Sequence, residues 1–256
     1  MKAPVVVIGI GELGAVFARG LLRLGHPVYP ITRAMDMDAE AEALPDPEVV
    51  LLAVAEKDLP ATLRAIPKPW QQRLALLQNE LLPRDWLEAG IGQPTVVTVW
   101  FEKKKGQDSK VLLPSPAFGV HAQLLVDALN GIGIDARLLA TQDQLLFELV
   151  RKNVYIVTTN VAGLVVGGTV NELWRDHAEL ARAVAQDVIA IQEHLTAARF
   201  DHYALIAGLL EAFDGDPSHG CMGRSAPARL RRALEQAEVA GLAVPKLREI
   251  AAVQKR

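Results

Sequence analysis

The stretch VVVIGIGELGAVFARGLL, Val5 to Leu22, places three glycines, Gly9, Gly11 and Gly14, between an apolar β-branched run and an amphipathic one. A GxGxxG pattern alone is a weak signal. This one follows a buried-type strand, opens a helix pattern and belongs to a strand–helix–strand unit, which is the context that gives the motif meaning. In that context Gly9 allows the tight turn, Gly11 removes the side chain that would block a pyrophosphate, and Gly14 lets helix and strand pack closely. The helix N-terminus then presents N–H groups and a positive dipole end to the phosphates. We therefore expect a dinucleotide at Gly9, Ile10, Gly11, Glu12, Leu13 and Gly14.

The end of the second strand tells which dinucleotide. An Asp or Glu roughly 20 residues past the glycines would hold the ribose hydroxyls of NAD. Here PVYPITR ends in Thr32 and Arg33. A guanidinium and a hydroxyl suit a 2′-phosphate, so NADP is expected. The competing reading is a surface arginine, with Asp36 or Asp38 bending back to the ribose.

Up to about residue 140 short β-branched runs alternate with helical segments: PVVVIG, PVYPITR, PEVVLLAV, RLALLQN, PTVVTVWF and KVLLP are strand-like. Strands alternating with helices imply a parallel, doubly wound sheet. The fold class expected is α/β, with an N-terminal Rossmann domain over 1–140 and an all-helical C-terminal domain over 141–256. Thr141 and Gln144 form a capping-box pair opening LLFELVRKNVYIVTTNVAG. Its β-branched content suggests a strand, but more than twenty residues pass before the first glycine at 163, and that length makes it a helix.

Composition narrows the partners. The 256-residue chain is 50% hydrophobic with a net charge of −3, which gives no basic surface for nucleic acid or an anionic membrane. Lys103, Lys104 and Lys105 in FEKKKGQD read as a solvated turn. The charge-free run Val154 to Val170 falls short of the ~20 apolar residues of a spanning helix and contains Asn160 and threonines. It reads as a helix buried in protein. A single cysteine, Cys221, fits a reducing compartment, and Lys2 before the first apolar run leads to no signal-type cleavage site. A cytoplasmic protein is expected. His202 with Tyr203, and His219 near Cys221, lack zinc-type spacing, so no metal is expected.

Strand, glycines, Arg33, LLQNEL and LLFELVRKNVYIVTTNVAG together resemble the ketopantoate reductase family of the 6-phosphogluconate-dehydrogenase-like superfamily, over nearly the whole length. The resemblance implies a contact of Asn79, after the strand in LLQN, with the nicotinamide side of the pocket. It extends the cofactor-binding set to Ala53 and Val54 at the end of PEVVLLAV, and it places the catalytic lysine at Lys152 in ELVRK. Asn160 matches the family's second asparagine. Ile156 stands where the family has its first, Ala55 replaces a lysine beside Glu56 and Lys57, and GRSAPARLRRAL contains none of the acids that bind the substrate's hydroxyl in the family. Arg224 falls in that segment and is a candidate for a substrate carboxylate.

Taken by itself, Lys152 is spaced i, i+4 from Glu148, as in exposed helical ion pairs. The apolar run starts immediately after it, however, and partial desolvation at such an edge favours release of its proton. Asn160 either bonds substrate or satisfies backbone. The expected function is NADPH-dependent hydride transfer to a small, 2-oxo acid-like carbonyl, with a small-molecule substrate as partner and a homodimer compatible with the second domain. The alternatives are a non-catalytic NADP-binding redox sensor and an opine- or imine-type reductase.

Overall fold

A computed structural model describes residues 2–254. The chain divides into two compact units, 1–148 and 149–256. The first is built on a seven-stranded sheet. Its strands are β1 (Val5–Ile8), β2 (Val28–Ile31), β3 (Val50–Leu52), β4 (Leu74–Leu76), β5 (Thr95–Val97), β8 (Ser115–Phe118) and β9 (Ala136–Leu138). A separate hairpin pairs β6 (Phe101–Glu102) with β7 (Lys110–Val111). The helices are α1 (Glu12–Arg23), α2 (Met37–Ala43), α3 (Leu59–Arg64), α4 (Lys68–Gln71), α5 (Pro83–Leu87) and α6 (Ala122–Asn130).

Strand order is β2-β1-β3-β4-β5-β8-β9. Every residue of β1, β3 and β4 is buried, as continuous apolar runs are in the centre of a parallel sheet. The strands from β2 to β5 pair in parallel, and β8 runs antiparallel to β5. The sheet is thus mostly parallel, as a doubly wound fold requires, with one antiparallel join. The β6–β7 hairpin, with no helix, links β5 to β8, and only a crossover can return a chain parallel. Helix α6 does lie between β8 and β9, which are parallel. The core joins Val5, Val7, Phe17, Leu21, Leu51, Ala75, Val97, Leu125 and Leu129. Because β1 lies between β2 and β3, successive connections leave it in opposite directions, creating a topological switch point at its carboxyl end.

The second unit is helical: most of α7 (Gln142–Val166), then α8 (Val170–Thr196), α9 (His202–Gly215), α10 (Ala226–Val239) and α11 (Pro245–Gln254). The unit boundary falls inside α7. This helix opens on the expected box, with the Gln144 N–H donating to Thr141 Oγ1 at 3.2 Å and the Thr141 N–H to Gln144 Oε1 at 3.3 Å. From Asn153 to Ala162 it is buried at every position; of the charge-free run Val154 to Val170, the part up to Val166 is helix, Val165 is exposed, and 167–169 form the link to α8. Among the described residues no helix is long and apolar enough to cross a membrane.

Polar side chains at helix ends fasten this unit. Asp187 of α8 accepts from the Lys246 and Leu247 N–H groups at 2.8 and 3.0 Å, capping the start of α11. Glu193 is buried and holds the turn after α8, accepting from the Phe200 N–H at 3.1 Å, from Arg199 at 2.6 Å and from His202 at 3.1 Å. Burial pushes this carboxyl up, but the Phe200, His202 and Arg199 bonds outweigh it, and the net shift is downward.

A carboxylate with a depressed folded-state value stabilises the fold above its ordinary value of 4.5, and that contribution is lost as pH falls below it. Glu193→Gln, which does not titrate, is expected to lose about 1 to 3 kcal/mol at pH 7 and to show a smaller further loss at pH 3.5 than wild type. Urea unfolding of both proteins at the two pH values checks this, and superimposable pH dependences would refute it.

Candidate functional site

The glycine loop leaves β1 at the switch point. Gly9 has φ +91°, a left-handed conformation that glycine adopts without strain, and a Cβ there would lie 2.9 Å from the Ala53 carbonyl oxygen. A Cβ on Gly14 would lie 2.1 Å from the Gly9 carbonyl oxygen and 3.3 Å from Ala53 Cβ. Gly11 differs: its φ of −72° is ordinary and a Cβ would meet nothing within 4 Å. Two glycines are therefore demanded by packing, and the middle one borders open space.

Gly11 is also the N-cap of α1 and can supply no side-chain cap, so the first-turn N–H groups, which lack intrahelical partners, are left for an anion. Glu12 is exposed, Leu13 is partly buried, and Ile10 is 44% exposed beside the opening. An open cradle of backbone donors at the switch point fits a dinucleotide pyrophosphate.

The neighbouring strand ends supply the remaining expected residues. Ala53 and Val54, at the end of β3, are half-buried, and Ala53 is the surface against which Gly9 and Gly14 close. Gln78 Nε2 donates to the Leu52 and Val54 carbonyls at 2.7 and 3.5 Å, tying the end of β4 to that of β3. Asn79, half-buried, follows Gln78 on this carboxyl edge, next to Glu80 in a left-handed conformation.

Thr32 and Arg33 follow β2 and are exposed, and Arg33 Nη2 donates to Asp58 Oδ2 at 2.8 Å. Asp58, 25 residues away in a turn at 56–58, is the residue that sequence reading missed here, because nothing local ties it to Arg33. Of the two competing acids, Asp36 is engaged as the N-cap of α2, accepting from the Asp38 and Ala39 N–H groups, while Asp38 is exposed. The lysine run also departs from expectation. Lys103 is not a solvated turn residue: its side chain is 22% exposed and its Nζ lies 3.6 Å from Glu12 Oε2.

In the second unit Lys152 is half-buried, with Nζ 5.4 Å from the centroid of the buried Tyr155 ring, within cation–π range. The His219 ring lies 6.2 Å from the Tyr155 ring, and His219 Nδ1 is 3.8 Å from the Asp216 carboxylate. Neither His219 nor Asp216 was singled out with Lys152 from sequence, since more than sixty positions separate them. Glu148 is buried and accepts from Arg137 at 2.5 Å, so it is not the exposed side chain that the spacing suggested.

Asn160 is 8% exposed; its Nδ2 donates to the Ile156 carbonyl at 2.9 Å and its Oδ1 accepts from Arg229 at 3.2 Å. Arg224 is exposed and precedes α10, and it is the buried Arg229 that reaches Asn160. Cys221 packs against Gly163, where a Cβ would lie 2.8 Å from the Cys221 carbonyl carbon. Burial, and secondarily Glu172, push its thiol up to about 11. Among the described residues no group of three or more His, Cys, Asp and Glu side chains is placed to hold a metal ion.

No protein-family model matches the sequence, and no curated protein sequence matches it. Solved structures do. A 2-dehydropantoate 2-reductase from Methylococcus capsulatus superimposes with a TM-score of 0.72 at 16% identity, covering 98% of this chain and 96% of that one. A dimeric ketopantoate reductase from Staphylococcus aureus gives 0.69 at 16% identity, covering 98% and 97%. D-mandelate dehydrogenase in complex with NADH gives 0.68 at 14% identity, covering 97% and 96%. The chain thus has the fold of ketopantoate reductases, an α/β Rossmann part followed by a helical part.

The two kinds of glycine predict different variants. Gly14→Ala forces a Cβ into backbone and is expected to cost about 1 to 3 kcal/mol of stability or more. Gly11→Ala meets no such clash and is expected to cost less, about 1 kcal/mol at most from the poorer N-cap, while weakening dinucleotide binding. Denaturant unfolding and titration of both variants test this, and a Gly11→Ala destabilised as much as Gly14→Ala would contradict the open cradle.

Proposed function

We propose that the chain is an NADPH-dependent oxidoreductase that reduces a small carbonyl compound of the 2-oxo acid type. The observation that carries this reading is the glycine loop at the switch point, closed by Gly9 and Gly14 against Ala53 and open at Gly11. Solved neighbours in fold include reductases and a dehydrogenase bound to NADH, which supports a nicotinamide dinucleotide. The phosphated form is inferred from Arg33 and Thr32, which offer a guanidinium and a hydroxyl where a ribose-binding acid would otherwise stand.

When bound, the reduced nicotinamide would supply the hydride that a carbonyl carbon accepts. The chain's own residues bind, orient and move a proton. The first-turn N–H groups and the loop hold phosphate, and Asn79 orients the nicotinamide end. Lys152, at the boundary between solvent and the buried 153–162 run, gives a proton to the carbonyl oxygen as negative charge develops there. Its Nζ lies 5.4 Å from the Tyr155 ring centroid, which restrains where the ammonium can sit. We assign Asn160 to the substrate side of the same unit, where it also sets Arg229. The absence of any acid in 223–234 points to a substrate without the hydroxyl of ketopantoate.

The Arg33–Asp58 pair sharpens the cofactor test. Arg33 is 89% exposed, so exchanging Asp58 for a 2′-phosphate costs little. Charge-assisted hydrogen bonds imply that NADPH binds about 10- to 100-fold more tightly than NADH. Calorimetric titration with both measures the ratio. Arg33→Asp is expected to reverse it, and equal wild-type affinities would remove the NADPH assignment.

Lys152 separates enzyme from sensor. Lys152→Ala is expected to bind NADPH like wild type, while single-turnover oxidation of bound NADPH by a carbonyl substrate falls about 10²- to 10⁴-fold. Unchanged turnover would exclude Lys152 as the acid. Failure of every 2-oxo acid, ketone and imine tried to oxidise NADPH bound to wild type would favour the sensor.

A further inference from the structure

We propose that Lys103 is a pyrophosphate-binding residue of the dinucleotide site, delivered to it by the β6–β7 hairpin. The inference rests on reading the glycine loop as that site and names a ligand that neither the motif nor the sequence pattern supplies.

The hairpin stands outside the main sheet and is fastened to α1. Phe101 is buried, and its ring lies 6.3 Å from that of Phe17. Lys103 is the first residue after β6. There its ammonium meets Glu12, the first residue of α1 and the neighbour of Gly11. The hairpin thus brings a cation to the helix end where the glycine without a Cβ borders open space.

The ammonium is held but not exhausted. It donates to the Lys104 carbonyl at 3.0 Å and, in a shorter bond, to the Gln107 carbonyl. Glu12 at 3.6 Å is at ion-pair distance and beyond hydrogen-bond range. An ammonium has three N–H donors, so one is left for an incoming oxygen. Lys104 makes the contrast: its side chain is 65% exposed and pairs at 3.2 Å with Glu102.

Charge gives the arrangement its logic. A glutamate in the first turn favours the helix dipole but repels a pyrophosphate arriving at the same N–H groups. With Lys103 beside it the pair is neutral, and the free donor offers the phosphate a charge-assisted bond.

The test measures binding, not turnover. Dissociation constants for NADPH and NADH are determined by calorimetry at two salt concentrations for wild type, Lys103→Ala, Lys103→Gln and Lys104→Ala. A pyrophosphate ligand serves both dinucleotides, so both Lys103 variants are expected to lose about tenfold or more for each, by the same factor, with a shallower salt dependence. Lys104→Ala should bind like wild type. Lys103→Gln keeps an amide that can donate to the hairpin carbonyls, so it removes the charge alone if Lys103→Ala disturbs the hairpin.

Affinities of Lys103→Gln within twofold of wild type would overturn the assignment. A loss confined to NADPH would also overturn it, placing Lys103 at the 2′-phosphate. Failure of wild type to bind either dinucleotide would instead refute the reading beneath it, and this assignment with it.

Discussion

The first unit depends on one close approach of backbone to backbone. Helix α1 can start against β1 and β3 only because Gly14 has no side chain to collide with the Gly9 carbonyl, and Gly9 has none to collide with Ala53. With α1 seated there, Gly11 becomes the helix's cap and faces open space. Its far turns pack on α6, where a Cβ at Gly20 would lie 2.2 Å from the Ala128 carbonyl oxygen. Phe17 on the same helix receives the hairpin through Phe101. A side chain at either tight position would lift the helix and move its donors, the hairpin's anchor and the α6 contact together.

The parts visible in sequence are those whose cause is local. The glycine spacing, the apolar runs of β1, β3 and β4, the Thr141–Gln144 box and the long α7 each carry their explanation within a few residues. The strands β8 and β9 were not legible: SPAF contains Pro116, ARL is three residues long with one apolar end, and their pairing comes from distant partners. The antiparallel turn at β8 was equally hidden, since it depends on a hairpin taking the place of a crossover helix.

The candidate site divides in the same way. Gly9 to Gly14 and Arg33 announce themselves by position relative to strands. Asp58, Arg229, His219 and the reach of Lys103 to Glu12 do not, because each joins segments that only the fold brings together. The second unit is fastened by the same kind of contact. Arg151 bonds the Gly208 carbonyl and Glu211, and a Cβ on Gly208 would come within 2.6 Å of the Arg151 side chain. Such glycines look like helix-breaking defects in a sequence, and their reason is the arginine that crosses them.

The buried sulfur of Cys221 has a further consequence. The thiolate is the reactive form, and a thiol titrating at about 11 with no exposed surface is almost entirely protonated and shielded at neutral pH. In the described structure it is the chain's one cysteine, so any modification by a thiol reagent reports a single position. Access requires the segment around 221 to leave Gly163, which is an opening of α7's immediate covering and not of the sheet. The rate of labelling is thus a built-in clock for local opening of the helical unit, readable without introducing a probe.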